Sequence, residues 1–193
     1  MQTNFTIYKN FITLYRVTPQ IIYNAVNLPR LNRSNADCVV NAMEILGIIN
    51  SKEAGLQRSR IGSSGIMPED FLQKFHNTNP DYIYRFAQIS MNELMPWINN
   101  DMPKLTMIFC GYKDQKNIGH VYIIAKDSDG KIFLLDPQLN PPICELRNCF
   151  AYITNKSSYY ILVRDSTPMI VDEEEEEDFI MDTSSMNRRR NRK

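Results

Sequence analysis

His120-Val-Tyr-Ile-Ile-Ala-Lys-Asp-Ser-Asp-Gly-Lys-Ile-Phe-Leu-Leu-Asp136 reads as two strands and the turn between them. Runs of β-branched, aromatic and aliphatic residues flank Asp127-Ser-Asp-Gly130, a strong hairpin signal. Gly130 stands where a type I turn with a G1 bulge needs positive φ. If the bulge absorbs one residue, Ile124 is expected to face Ile132, Tyr122 to face Leu134, and His120 to face Asp136. Directly opposed side chains share one face of the sheet, with Cβ atoms about 5 Å apart. A carboxylate at that distance can accept the imidazole N–H, fix its tautomer and favour its charged form. A register without the bulge would place the two side chains on opposite faces, so the expectation concerns the turn as much as the pair.

Outward from the hairpin, Leu105 to Cys110, Cys149 to Thr154 and Tyr159 to Arg164 read as further short strands, with Gly111 and Pro141-Pro142 as turns. The first half of the chain has a different period. A short helix or irregular arm is expected over residues 5–16 and a helical turn over 19–26. Residues 51–66 read as a loop or weak helix, and a short helix follows from Pro68 to His76. Tyr82 to Ala87 reads as a strand, and a helix begins near Asn92. Helices followed by an antiparallel sheet make an α+β chain.

One helix stands out. After the polar loop Pro29-Arg-Leu-Asn-Arg-Ser-Asn, with Ser34 or Asn35 able to cap, the run Cys38-Val-Val-Asn-Ala-Met-Glu-Ile-Leu-Gly-Ile-Ile leaves almost no polar face. Such a helix is buried on most sides. Cys38 opens it, close to the positive end of the helix dipole, which favours a thiolate. Free cysteine is among the most buried residue types, so Cys38 alone reads as core. Its place at a helix start, with a hairpin that can pair His120 and Asp136, makes it a candidate nucleophile. The Cys38 N–H and a side-chain amide from Asn32 or Asn35 are the candidate oxyanion donors. For Asn35, simple capping explains the residue equally well. Gln138 can brace the Asp136 carboxylate or merely turn the chain with Pro137. Asp37 reads as a charge in the first helical turn, His76 as a surface helix cap, and Trp97 as core or a groove wall.

Composition narrows the function classes. The chain has 193 residues, 43% of them hydrophobic and 10% aromatic, enough for one sizeable core. No apolar run approaches the roughly 20 residues of a membrane span. Met1-Gln-Thr-Asn-Phe-Thr lacks the basic and apolar regions of a secretory signal, so an intracellular protein is expected. Four cysteines, without a CxxC pair and with only two histidines, suggest neither a disulfide framework nor a zinc site. Cys144 and Cys149 read as free thiols, buried or half-buried. No cofactor or metal is expected.

The formal charge of zero hides a division. Residues 166–193 hold eight acids, mostly in Asp172 to Asp178, and then five bases from Arg188 to Lys193. The body, residues 1–165, is mildly basic, with 17 bases against 14 acids. The organisation expected is therefore one α+β domain over 1–165 and a solvated, disordered tail over 166–193. Nucleic acid is not an expected partner except at the basic end of that tail.

Cys38, His120 and Asp136 in this chain order resemble the papain-like cysteine peptidase superfamily, and most nearly its papain-fold toxin and glutamine-deamidase branch. The likeness rests on Asn35-Ala-Asp-Cys38, on Gly119-His-Val-Tyr-Ile-Ile and on Asp136-Pro-Gln138, and covers under a third of the chain. It implies a papain-like fold, with the nucleophile helix packed on the C-terminal antiparallel sheet. It also implies a thiol hydrolase acting on protein amide bonds, as peptidase or glutamine deamidase, with Cys38 as nucleophile, His120 as base and acid, and Asp136 as orienter. Where many papain-like peptidases carry an oxyanion glutamine, six residues before the cysteine, this chain has the shorter amide Asn32. The alternative is a catalytically inactive protein of the same fold with a structural or interaction role. The wealth of Asn, Ile, Tyr and Met suggests an AT-rich genome, so a virion component is one form of that alternative. Either way the partner is another protein, as substrate or as binding partner.

Overall fold

The structure is a computed structural model that describes residues 9–27, 37–61, 82–113, 119–154, 156 and 158–166. Its elements are β1 (Tyr15–Arg16), α1 (Pro19–Asn27), α2 (Cys38–Ile45), α3 (Ser51–Ile61), β2 (Tyr82–Ile89), α4 (Met91–Asn100), β3 (Thr106–Lys113), β4 (Gly119–Lys126), β5 (Ile132–Leu135), β6 (Ile143–Glu145), α5 (Leu146–Thr154) and β7 (Ser158–Ser166). The seven strands form one antiparallel sheet in the order β2-β7-β3-β4-β5-β6, with β1 paired to the start of β3. The mixed α+β class is as the sequence indicates.

Helices cover both faces of the sheet, which explains why β3 and β4 are nearly continuous apolar runs rather than alternating ones. On one face Met107, Phe109, Val121, Ile123 and Ala125 pack against α2 and its neighbours α1 and α3. On the other, Ile108, Cys110, Tyr122 and Ile124 pack against Leu94, Trp97 and Ile98 of α4 and Leu146 and Ile153 of α5. Every residue of α2 from Val39 to Ile45 is buried, as its lack of a polar face foretells. Trp97 belongs to the core.

Several expectations need correction. Residues Cys149 to Thr154 form the body of α5, not a strand. Their aromatic and β-branched content suits a sheet, but Leu146, Cys149 and Ile153 fall on one helical stripe that meets the second core. Of the helix or irregular arm expected over 5–16, the described residues take the irregular form, a turn at 9–11 and then an extended stretch from Ile12 to Arg16. Ile12 bridges to Val163, and Tyr15 pairs with Met107, so the segment fills the gap left where β7 diverges from β3. Gly111 lies inside β3, opposite Val121, and not in a turn. A Cβ there would come within 3.2 Å of the His120 carbonyl oxygen and of Val121 Cγ1, tighter than ordinary contact, so a side chain at this position would require its neighbours to yield. Residues 51–61 are a full helix.

The hairpin turn has the expected chemistry and a different count. Gly130 has φ +87°, its N–H meets the Asp127 carbonyl at 3.3 Å, and the Asp127 N–H meets that of Lys131 at 3.0 Å. Ser128-Asp129-Gly130 is thus a three-residue loop of type I plus left-handed glycine. Lys126 pairs with Ile132 and Ile124 with Leu134, so the expected pairs Ile124–Ile132, Tyr122–Leu134 and His120–Asp136 are each displaced by two residues. A shift of two preserves the face of every side chain, where a shift of one would have reversed it.

Candidate active site

His120 is the second residue of β4 and Asp136 the first residue beyond β5. Continued past the end of β5, the register would set Asp136 opposite Tyr122, so the two site residues are diagonal neighbours on one face. The diagonal is closed by a side-chain bond, with His120 Nε2 2.6 Å from Asp136 Oδ2. Asp136 is 1% exposed and fully engaged. Oδ2 also accepts from the Tyr152 hydroxyl at 3.2 Å, and Oδ1 accepts from the Gln138 backbone N–H at 3.0 Å. The last bond comes from a tight turn in which the Leu139 N–H returns to the Asp136 carbonyl at 3.0 Å. An Asp-Pro opening suits such a turn, because the carboxylate can bond two residues ahead and proline presets φ.

Cys38 comes from the helix that covers the opposite face, and its half-buried thiol lies close enough to the imidazole to favour the charged ring. The site therefore sits at the margin of the sheet, where the two layers meet. Nε2 is held by Asp136, so Nδ1 is the ring nitrogen that the carboxylate does not engage. Burial pulls the His120 pKa down, but the bonds and charges of Asp136 and Cys38 outweigh it and push the ring up to about 10. The imidazole accordingly carries both protons at neutral pH. Burial, then the Asp136 charge, pushes the Tyr152 phenol well up, so it remains a donor to the carboxylate.

Aromatic rings wall one side of the histidine. Tyr112 lies directly across the β3–β4 ladder with ring centroids 5.6 Å apart, and Tyr152 stands edge-on at 6.2 Å. The Lys156 ammonium lies 4.3 Å from the Tyr112 centroid. A separate cavity of about 490 Å³, lined in part by Met95, Ile132, Leu146 and Phe150, lies at the opposite end of β4 and touches none of these residues.

The Cys38, His120 and Asp136 side chains are brought together, and Gln138 lies beside them. Asn32 and Asn35 lie outside the described residues, as do Ser34 and the helix expected from Pro68 to His76. Among the described residues no group of three or more His, Cys, Asp or Glu side chains converges as a metal site, and no helix is long and apolar enough to cross a membrane.

Two features escaped the sequence. Tyr152 falls in the segment misread as a strand, where the spacing of Leu146, Cys149 and Ile153 was the available signal. Asp37, read as a charge in the first turn of α2, also makes contacts remote in sequence. It occupies the N-cap position of α2 without capping it, is 3% exposed, and turns its carboxylate toward Gln138 Nε2 at 3.2 Å and Arg58 Nε at 4.0 Å. Burial raises its pKa, against the pull of its bonds and of the Arg58 charge. Nothing in the local sequence points to a partner 101 residues away.

No family model and no curated protein sequence matches the chain.

Proposed function

We propose that this protein is a papain-like thiol hydrolase that acts on protein amide bonds, as a peptidase or a glutamine deamidase, through Cys38, His120 and Asp136. The observation that carries the reading is the His120–Asp136 bond, formed beside the thiol that opens a buried helix. An imidazolium beside a thiol favours the thiolate, which is the nucleophilic form. The thiolate attacks the amide carbonyl, and the tetrahedral oxyanion meets the Cys38 N–H, one of the first-turn amides that a helix leaves without an internal acceptor. The imidazolium then gives its proton to the departing amine or ammonia, leaving a thioester. The neutral ring takes a proton from water, whose attack on the thioester releases the acid and restores the thiolate beside the recharged imidazolium. Asp136 holds the ring in place through both steps. The order of the three residues and a cysteine helix laid on an antiparallel sheet support the papain-like assignment.

Iodoacetamide at neutral pH tests this reading directly. Cys110 is fully buried, and burial pushes its thiol far up. Burial and a bond from Cys144 push Cys149 up to about 12. Cys38 is therefore expected to alkylate faster than the other three cysteines by about tenfold or more, and His120→Ala should remove the advantage. Equal rates at all four thiols would sink the proposal.

A further inference from the structure

We propose that Asp37 and Gln138 form a clasp that sets the nucleophile against its base, by tying the start of α2 to the loop that carries Asp136. The inference rests on the reading of Cys38, His120 and Asp136 as a catalytic set. It assigns positioning roles to two residues that touch no reacting atom.

Gln138 serves both sides at once. Its backbone N–H holds Asp136 Oδ1 at 3.0 Å, and its side-chain amide donates to Asp37 Oδ1 at 3.2 Å. Asp37 precedes Cys38 and is fixed by the helix, because its carbonyl accepts the first α2 bond from the Asn41 N–H at 2.9 Å. Any shift of the Asp136 loop is thus transmitted to the residue next to the thiol. The far side of the clasp is anchored too. Arg58 of α3 reaches Asp37 at 4.0 Å, bonds Asn41 Oδ1 at 2.7 Å and pairs with Glu44 Oε2 at 2.5 Å. Asp37 and Glu44 are buried, so these are directional contacts in a site that excludes most solvent. A carboxylate buried at this position, facing an amide donor rather than capping its own helix, is costly unless the contact does something for the fold or the site.

The simpler account is that the clasp only stabilises the fold. The two accounts separate on the pH–rate profile of Cys38 alkylation, read by mass spectrometry alongside the melting temperature. Gln138→Glu places two carboxylates in contact. It is expected to slow Cys38 alkylation at neutral pH by about tenfold or more and to displace the profile. Adding Asp37→Asn restores a donor facing an acceptor with the polarity reversed, and should return both rate and profile to within about threefold of the natural chain. If the single variant keeps the natural profile, or the double variant recovers nothing beyond the single, the clasp is overturned. Melting temperatures that fall in both variants with unchanged profiles would also overturn it, in favour of a purely structural contact. Should the natural Cys38 show no advantage over the other thiols, the catalytic reading fails separately. The NMR titration of His120 then decides the clasp. The midpoint must move in Gln138→Glu and return in the double variant, and a fixed midpoint refutes it.

Discussion

His120 concentrates the electrostatics of the site in one ring. Its folded pKa of about 10 lies above the ordinary 6.5. The stability contributed by the charged ring is therefore fully present below pH 6.5 and is lost as pH rises through about 10. Asp136→Asn keeps the shape but removes the negative partner. It should lower the His120 midpoint by about 1 to 3 pH units, as followed by the Cε1–H NMR resonance, and should flatten the alkaline loss of stability. An unchanged midpoint would mean that the 2.6 Å contact does not hold in solution. The positions of Cys38, His120 and Asp136 were legible because each stands at the end of a recognisable element. The inward turn of Asp37 was not, because its partners Gln138 and Arg58 are remote in sequence and carry no periodic signal.

Among the elements, β4 does the most, with His120 near one end and Lys126 at the other. Lys126 is 7% exposed, and its ammonium donates to the carbonyls of Ile98, Asn99 and Met102 at 3.0, 2.9 and 3.1 Å. The first two carbonyls belong to the last turn of α4 and the third lies just beyond it, where a helix leaves acceptors unpaired and favours a cation. Lys126→Met should fit the apolar stem but strand the carbonyls. A loss of about 2 to 3 kcal/mol is expected in urea denaturation, with α4 the first element to lose amide-exchange protection. Elements with a clean period, such as α2 and β4, were legible from the sequence. Short ones were less so. The segment from Leu146 to Thr154 is aromatic and β-branched enough for a strand, and becomes a helix because that geometry alone presents Leu146, Cys149 and Ile153 together to the second core. Tertiary burial overrides local preference there.

In the whole molecule, one sheet separates two apolar cores, and the site lies at its margin, where a helix from one layer meets strand ends and α5 from the other. The cores and the Cys38–His120–Asp136 chain are built, among the described residues, from segments ending at Ser166. The block of like charge after Asp172 reads from the sequence as a solvated tail, so a chain cut after Ser166 should melt within about 2 °C of the full chain and keep the Cys38 alkylation rate. A large loss of either would show that residues 167–193 take part in the fold or the site. By itself the sequence determined the α+β class, the buried cysteine helix, the hairpin and the chemistry at the turn, because these follow from short-range periodicity and from the conformational demands of glycine and proline. It did not determine the hairpin register, which the structure moves by two residues while leaving His120 and Asp136 on one face. Only the tertiary structure decided that Tyr152 and Gln138 complete the coordination of Asp136, and that Asp37 binds across the domain instead of capping its helix. Those contacts join residues far apart in the chain, and their geometry is set by how layers pack, which no local pattern encodes.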